Sequence, residues 1–194
     1  MNTFLLYWRE ILSAIAVIIA LYSYSTYIQS IFAGKTTPHV FSWGIWALTT
    51  GIAFFAQVAG GGGWGSAQWG VTMFVCLFVA FLALKYGDFW KIDRLDWYSL
   101  ILAFVAIGLW MMTDNPFYGS LFAMLADAIG YIPTFRKVWK KPESEPTGYY
   151  LLMNVKHTLS LLALSRYTWT TMIFSGSVII INFVLVIVQM VRKK

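Results

Sequence analysis

The stretch from Tyr131 to Tyr150 reads YIPTFRKVWKKPESEPTGYY and interrupts an otherwise apolar chain. It starts inside an apolar run, carries a proline at position 133, and places four basic residues between positions 136 and 141. Two further prolines bracket the segment ESE before the next apolar run begins. This pattern predicts a helix that bends near its end, a charged turn at a membrane surface, and a second helix that re-enters the apolar phase.

The composition indicates why such a turn would lie at a membrane. Hydrophobic residues make up 59% of the 194 residues and charged residues 11%, whereas a soluble domain carries roughly 25% charged residues. The charges lie between apolar runs of about 17–25 residues, the length that crosses a bilayer core. We therefore predict an all-α integral membrane protein. The net charge of +6 is assigned to loops near anionic lipid and not to nucleic-acid binding.

Seven membrane-spanning helices are predicted from these runs. They extend from about Glu10 to Phe32, Val40 to Ala59, Ser66 to Tyr86, Trp97 to Thr113, Pro116 to Trp139, Thr147 to Ser165 and Thr168 to Val191. Eleven lysines and arginines then fall on one side and two on the other. The excess of positive charge predicts a multi-pass protein of the cell (inner) membrane, with the N-terminus outside and the C-terminus in the cytoplasm. Most of the ten tryptophans are interpreted as interface anchors, and the outer run GGGGWG at 60–65 as a flexible turn.

The opening pattern occurs a second time in the chain. The stretch from Tyr24 to Trp43 reads YSTYIQSIFAGKTTPHVFSW, and it aligns with the first at an offset of about 107 positions. Tyr24 falls opposite Tyr131 in this alignment. The repeat predicts two three-helix units related by an axis along the membrane normal. The units cover residues 9–86 and 116–191, and residues 87–115 form a linker that contains the fourth span, which gives a 3+1+3 plan.

These two stretches resemble the PQ-loop motif of the SWEET, SemiSWEET and cystinosin-like transporters, in which a helix carries Pro-Gln before a short basic loop. Here the second copy has Pro133-Thr134 and the first has Thr26-Tyr27. The resemblance implies a divergent, bacterial-type member that moves a small polar solute, sugar-like as the first choice, by alternating access. It also implies that an asparagine on the last helix of a unit, here Asn182, contacts the solute.

Polar residues at mid-membrane depth are the candidates for a solute site. Asp127 and Lys156 would be costly in lipid, so we expect them to face a cavity or each other. They are interpreted either as a substrate or proton-coupling site or as an ion pair that ties two helices together. Pro133 is the candidate hinge, because a proline loosens the preceding helical turn. The candidate substrate-binding residues are Trp46, Thr50, Gln57, Asn154, His157 and Asn182.

Two other functions stay open. Facilitators of vitamins or nucleoside precursors, of the nicotinamide-riboside type, share the seven-span plan, and a membrane scaffold or sensor would need no solvated cavity. An enzyme is not expected, since the sequence offers no clear nucleophile–base pair. No metal or other cofactor is expected either, and the single cysteine excludes a cysteine-based metal site. The expected partners are the lipid bilayer and a small-molecule substrate, with a homo-oligomer left open.

Overall fold

The computed structural model describes residues 3–34, 37–38, 40–87, 94–140, 142 and 147–192, without the side chains of residues 3–6, 133, 136 and 137. Over these residues the chain forms α-helices and one short 3₁₀ turn, with no strand. The 3₁₀ turn, Gly63–Ser66, leads directly into α3. The helices are α1 (Thr3–Phe32), α2 (Val40–Ala59), α3 (Ala67–Tyr86), α4 (Arg94–Thr113), α5 (Pro116–Lys140), α6 (Thr147–Leu162) and α7 (Trp169–Arg192).

Local sequence accounts for where α5 begins, and tertiary structure accounts for where α6 ends. Pro116 opens α5, a position that needs no backbone donor, and the Oδ1 atom of Asn115 accepts a hydrogen bond of 3.0 Å from the backbone N–H of Phe117. The sixth span was expected to continue to Ser165, but α6 ends at Leu162. The reason is that the Ser165 N–H donates to the carbonyl of Gly62 at 2.9 Å instead of continuing the helix.

Five helical segments in the described part of the chain are long and apolar enough to cross a membrane. They are Tyr7–Phe32, Val40–Ala59, Gly63–Tyr86, Arg94–Thr113 and Trp169–Arg192. The all-helical, multi-pass membrane class predicted from the sequence is thereby confirmed. The helices outside this set are α5 and α6, and each carries a charged residue near its middle, Asp127 in α5 and Lys156 in α6.

The packing of the helices follows a regular scheme. α3 packs against both α1 and α2, and α7 packs against both α5 and α6. Between these two groups, α1 packs against α6 and α2 against α5. α4 packs against α5 and α2, and small residues permit its close approach to α5, as is common between membrane helices. These are Ala103 and Ala106 of α4 with Ala123 and Ala126 of α5, which share one buried cluster.

Candidate functional site

A cavity of about 120 Å³ lies among α1, α2, α3, α5, α6 and α7. An apolar cavity of about 150 Å³ admits benzene, so this one has room for a solute of about one small ring. Its wall is unusually rich in aromatic and polar side chains for a chain of this hydropathy. The aromatic wall residues are Tyr24, Trp43, Trp46, Trp69, Tyr131, Tyr149 and Tyr150, and the polar ones are Thr50, Thr72, Cys76, Asp127, Thr134, Lys156, His157 and Asn182.

Six of the candidate site residues come together on this wall, although they were selected from four different predicted spans. Asp127 is 6% exposed and Lys156 is 1% exposed. Thr50, His157 and Asn182 are buried as well, and Trp46 is half-buried. The structure therefore joins the mid-membrane layer into a single site, whose residues are Trp46, Thr50, Asp127, Lys156, His157 and Asn182.

The other three candidates lie elsewhere. Gln57 lies two helical turns beyond Thr50, where its Nε2 atom donates a 2.9 Å hydrogen bond to the Ser175 hydroxyl. Asn154 is half-buried and is not on the wall, because it is rotated by about 100° around α6 from its neighbour Met153. Neither residue lines the cavity, and the assignment of both to substrate binding stays a prediction. Pro133 lies within α5, but its side chain is outside the described residues, and its role as a hinge stays a prediction.

The ion pair between Asp127 and Lys156, one of the two interpretations of these residues, is not formed in this structure. Among the described residues, neither side chain has an ion pair or a hydrogen bond. Instead, the Lys156 ammonium lies over the ring of Tyr24, 5.3 Å from its centre. Tyr24 belongs to α1, whereas α5, which carries Asp127, packs against α2, α4 and α7. The two charged groups therefore belong to different helices, α5 and α6, each of which packs against α7.

Contacts between rings hold the aromatic walls in place. Trp43 meets Trp46 edge-on at 5.2 Å between ring centres and Tyr24 at 6.4 Å. On the opposite side, His157 stacks on Trp69 at 4.7 Å with an angle of 17° between the rings. Tyr131 donates its hydroxyl to the Oδ1 atom of Asn182 at 3.0 Å. These contacts preorganise the walls, because each ring restricts the rotation of its neighbour.

Apart from Trp46, the aromatic wall is the part of the site that the sequence interpretation missed. Trp43, Trp46 and Trp69 line the cavity, whereas Trp64 and Trp169 are more than half exposed, as interface anchors would be. The repeat was a signal that would have found part of the wall. At an offset of about 107 positions the pairs Tyr24 and Tyr131, Trp43 and Tyr150, Trp46 and Met153, and Thr50 and His157 all line it.

The end of the bundle that carries the glycine-rich run is sealed by hydrogen bonds. The Ser160 hydroxyl donates to the Gly65 carbonyl at 2.6 Å, and the Ser13 hydroxyl donates to the Trp64 carbonyl at 2.7 Å. The Ser165 N–H donates to the Gly62 carbonyl. The expectation of a flexible turn is therefore wrong for residues 62–65, which form a packed plug between α1 and the end of α6. We name residues 62–65 the glycine plug.

Behind the plug, one serine joins three helices. Ser175 of α7 accepts hydrogen bonds of 2.9 Å from Gln57 of α2 and from the Trp69 indole of α3. All three side chains are at least 98% buried. Ser175 thus satisfies two buried donors from neighbouring helices and fixes the ring on which His157 stacks.

We expect Ser175→Ala to destabilise the protein by about 1–3 kcal/mol, because it leaves two interhelical donors unsatisfied. Ser177→Ala is the matched control, since the Ser177 hydroxyl donates only to the Phe174 carbonyl of its own helix at 2.7 Å. That control should stay within about 0.5 kcal/mol of the wild type. Thermal unfolding of the purified protein measures both. Equal midpoints for the two variants would show that the Ser175 hydrogen bonds contribute nothing.

Comparison with known proteins adds no relative. No protein-family profile, curated protein sequence or solved structure matches the chain. The apolar helices and the buried polar cavity define its class, a multi-pass α-helical membrane protein. Its function must be inferred from the chemistry of the cavity.

Proposed function

We propose that the protein is a membrane transporter that moves a small polar solute by alternating access. The observation that carries this proposal is the cavity, where two charged side chains and several polar ones are kept between helices whose outer faces are apolar. Ionisable residues within membrane helices are costly and usually mark the path of a solute or an ion. A scaffold or sensor would gain nothing from such a cavity, and the unpaired charges would only lower its stability.

Seven spans in the 3+1+3 plan are part of the proposal. It is supported by the packing scheme, in which α3 lies against α1 and α2 as α7 lies against α5 and α6. In the repeat, α1 corresponds to α5 and α2 corresponds to α6. The α1–α6 contact therefore corresponds to the α5–α2 contact, and both contacts are present. The paired wall residues at the repeat offset add to this support. Such parallel repeats are typical of transporters that bind solute between the two units.

The proposed orientation places the N-terminus outside and the basic α5–α6 connection in the cytoplasm. Thr134 and Tyr149, which flank that connection, line the cavity. The glycine plug closes the other end through three hydrogen bonds. This conformation corresponds to a state that is closed to the outside and in which the cavity lies toward the cytoplasmic end. A PQ-loop transporter and a facilitator of the nicotinamide-riboside type would both work in this way.

Cys76 provides a direct test without any mutation. It is the only cysteine in the chain and lies on the cavity wall, 2% exposed. In inside-out membrane vesicles, a small methanethiosulfonate reagent should modify Cys76 faster than in right-side-out vesicles, because the plug blocks the outer route. Cys76→Ala controls for labelling elsewhere. Modification from neither side of the native protein, with full modification after unfolding, would favour a sealed scaffold over a transporter.

A further inference from the structure

The cavity wall carries one carboxylate and one ammonium group, and nothing in the described chain neutralises either by an ion pair. Asp127 and Lys156 are both more than nine-tenths buried. A buried charge without a partner costs several kcal/mol, far more than the loss of an ordinary surface contact. A solute that enters the cavity is the natural source of the missing partners.

The surroundings of the two groups differ. Asp127 lies one helical turn before Tyr131, whose hydroxyl donates a hydrogen bond to Asn182. A Cβ atom on Gly130 would lie 3.5 Å from the Trp46 indole nitrogen. Because Gly130 follows Asp127 by three residues in α5, the Trp46 ring lies on the same side of α5 as Asp127. An aromatic wall with a carboxylate is the arrangement that binds organic cations, because ring faces and carboxylate both attract positive charge.

Lys156 lies on α6, which packs against α1 and α7. Its ammonium lies over the ring of Tyr24, which belongs to α1. An ammonium group at this point suits an anionic group of a solute, to which its protons can donate. The cavity therefore offers a place for a positive centre at Asp127 of α5 and for a negative centre at Lys156 of α6.

Both charges also depart from the repeat. The positions that correspond to Asp127 and Lys156 in the first unit hold Ala20 and Thr49. Four pairs of uncharged wall residues occur at the repeat offset, whereas the carboxylate and the ammonium have no charged counterpart in the first unit. The two charges are therefore not repeated by the two-unit architecture.

On the basis of the transport function proposed above, we propose that the solute is a small zwitterion. Its cationic centre lies between the Asp127 carboxylate and the surrounding rings, and its anionic centre lies at the Lys156 ammonium. A neutral sugar could hydrogen-bond both groups but would supply no opposite charge to either, so a zwitterion takes the place of the sugar-like solute that the resemblance implied. The cavity volume of about 120 Å³ admits a zwitterion of about the size of one small ring.

Four probes of small size test the inference on the purified full-length protein by isothermal titration calorimetry. Trimethylglycine carries both charges, choline carries the cation alone, 3,3-dimethylbutyrate has the shape of trimethylglycine but the anion alone, and glucose is neutral. A panel of free amino acids supplies further zwitterions. We expect the tightest zwitterion to bind at least tenfold more strongly than choline, 3,3-dimethylbutyrate and glucose.

Two variants assign the charges. Asp127→Asn should weaken zwitterion and choline binding at least tenfold and leave 3,3-dimethylbutyrate unchanged. Lys156→Met should weaken zwitterion and 3,3-dimethylbutyrate binding and leave choline unchanged. Retained binding of 3,3-dimethylbutyrate by Asp127→Asn, and of choline by Lys156→Met, shows that the cavity of each variant is folded.

Three outcomes overturn the inference. They are wild-type affinity of both variants for the zwitterion, binding of glucose without any zwitterion, and failure of every probe. None of them decides the proposed function, because the reactivity of Cys76 from the two membrane sides tests that function independently. A protein whose Cys76 reacts from the cytoplasmic side but which binds no zwitterion would be a transporter of another solute.

Discussion

Replacing Gly65 by alanine is expected to destabilise the protein by about 3 kcal/mol or more, the upper range for an added group in a packed interior. A Cβ atom at this position would lie 2.7 Å from the backbone nitrogen of Leu164 and 2.7 Å from the carbonyl oxygen of Ser160. Both neighbours are backbone atoms, so a change of rotamer cannot relieve the overlap. The glycine plug would have to separate from the end of α6, and the Ser160 hydrogen bond to the Gly65 carbonyl would be lost with it.

Gly108→Ala is the matched control for this experiment. Gly108 lies in α4, and a Cβ atom there would have nothing within 4 Å. Alanine favours a helix over glycine by about 1 kcal/mol, so this variant should be as stable as the wild type or slightly more stable. Thermal unfolding of the detergent-solubilised proteins gives both values. A Gly65→Ala midpoint equal to that of Gly108→Ala would contradict the close packing of the plug.

Lys156→Met is expected to stabilise the protein by about 1–4 kcal/mol while it removes solute binding. Methionine has a similar length and fills the same space, and replacement of buried charges by apolar residues of similar volume often raises stability by this amount. Lys85→Met provides the comparison, because Lys85 is exposed at the end of α3 and should change stability by no more than about 0.5 kcal/mol. Unfolding midpoints and calorimetric binding are measured on the same preparations.

A double-mutant cycle that combines Lys156→Met with Asp127→Asn distinguishes a solute-binding role of the two charges from a structural ion pair between them. Since the two side chains are not paired in the described chain, their effects on stability should add to within about 1 kcal/mol. If each single variant were destabilised by about 3–5 kcal/mol and the double variant recovered, the charges would neutralise each other. That result would also remove the basis for a zwitterionic solute.

Much of the helical architecture could be predicted from the sequence, because apolar run length and helix breakers act locally. The bounds of α2, Val40–Ala59, and the start of α5 at Pro116 are as expected. The end of α6 is three residues earlier than expected, because a hydrogen bond to Gly62 competes with the last turn. A contact of this kind between distant segments leaves no periodic signal in the sequence.

The charged part of the site and Trp46 could be predicted, whereas the rest of the aromatic part could not. Asp127 and Lys156 stand out because charge in an apolar run needs an explanation wherever the helix packs. Trp43 and Trp69 do not, because tryptophan is equally common at a membrane interface and in a core. Their place depends on the rotation of α2 and α3 in the bundle, which the sequence alone left open. Gln57 shows the converse, since its spacing from Thr50 matched the face but not the depth of the cavity.

The glycine plug also restricts how the seal can vary in evolution. The three hydrogen bonds that join the plug to α1 and to the chain at the end of α6 use carbonyl oxygens of the plug, those of Gly62, Trp64 and Gly65, as acceptors. Side-chain substitutions in the plug cannot remove an acceptor, and Gly65 has no space for a side chain. Two of the donors, in contrast, are the hydroxyl groups of Ser13 and Ser160. Inherited changes that loosen or tighten this end of the bundle would therefore accumulate on α1 and α6, while the loop that forms the plug stays nearly invariant.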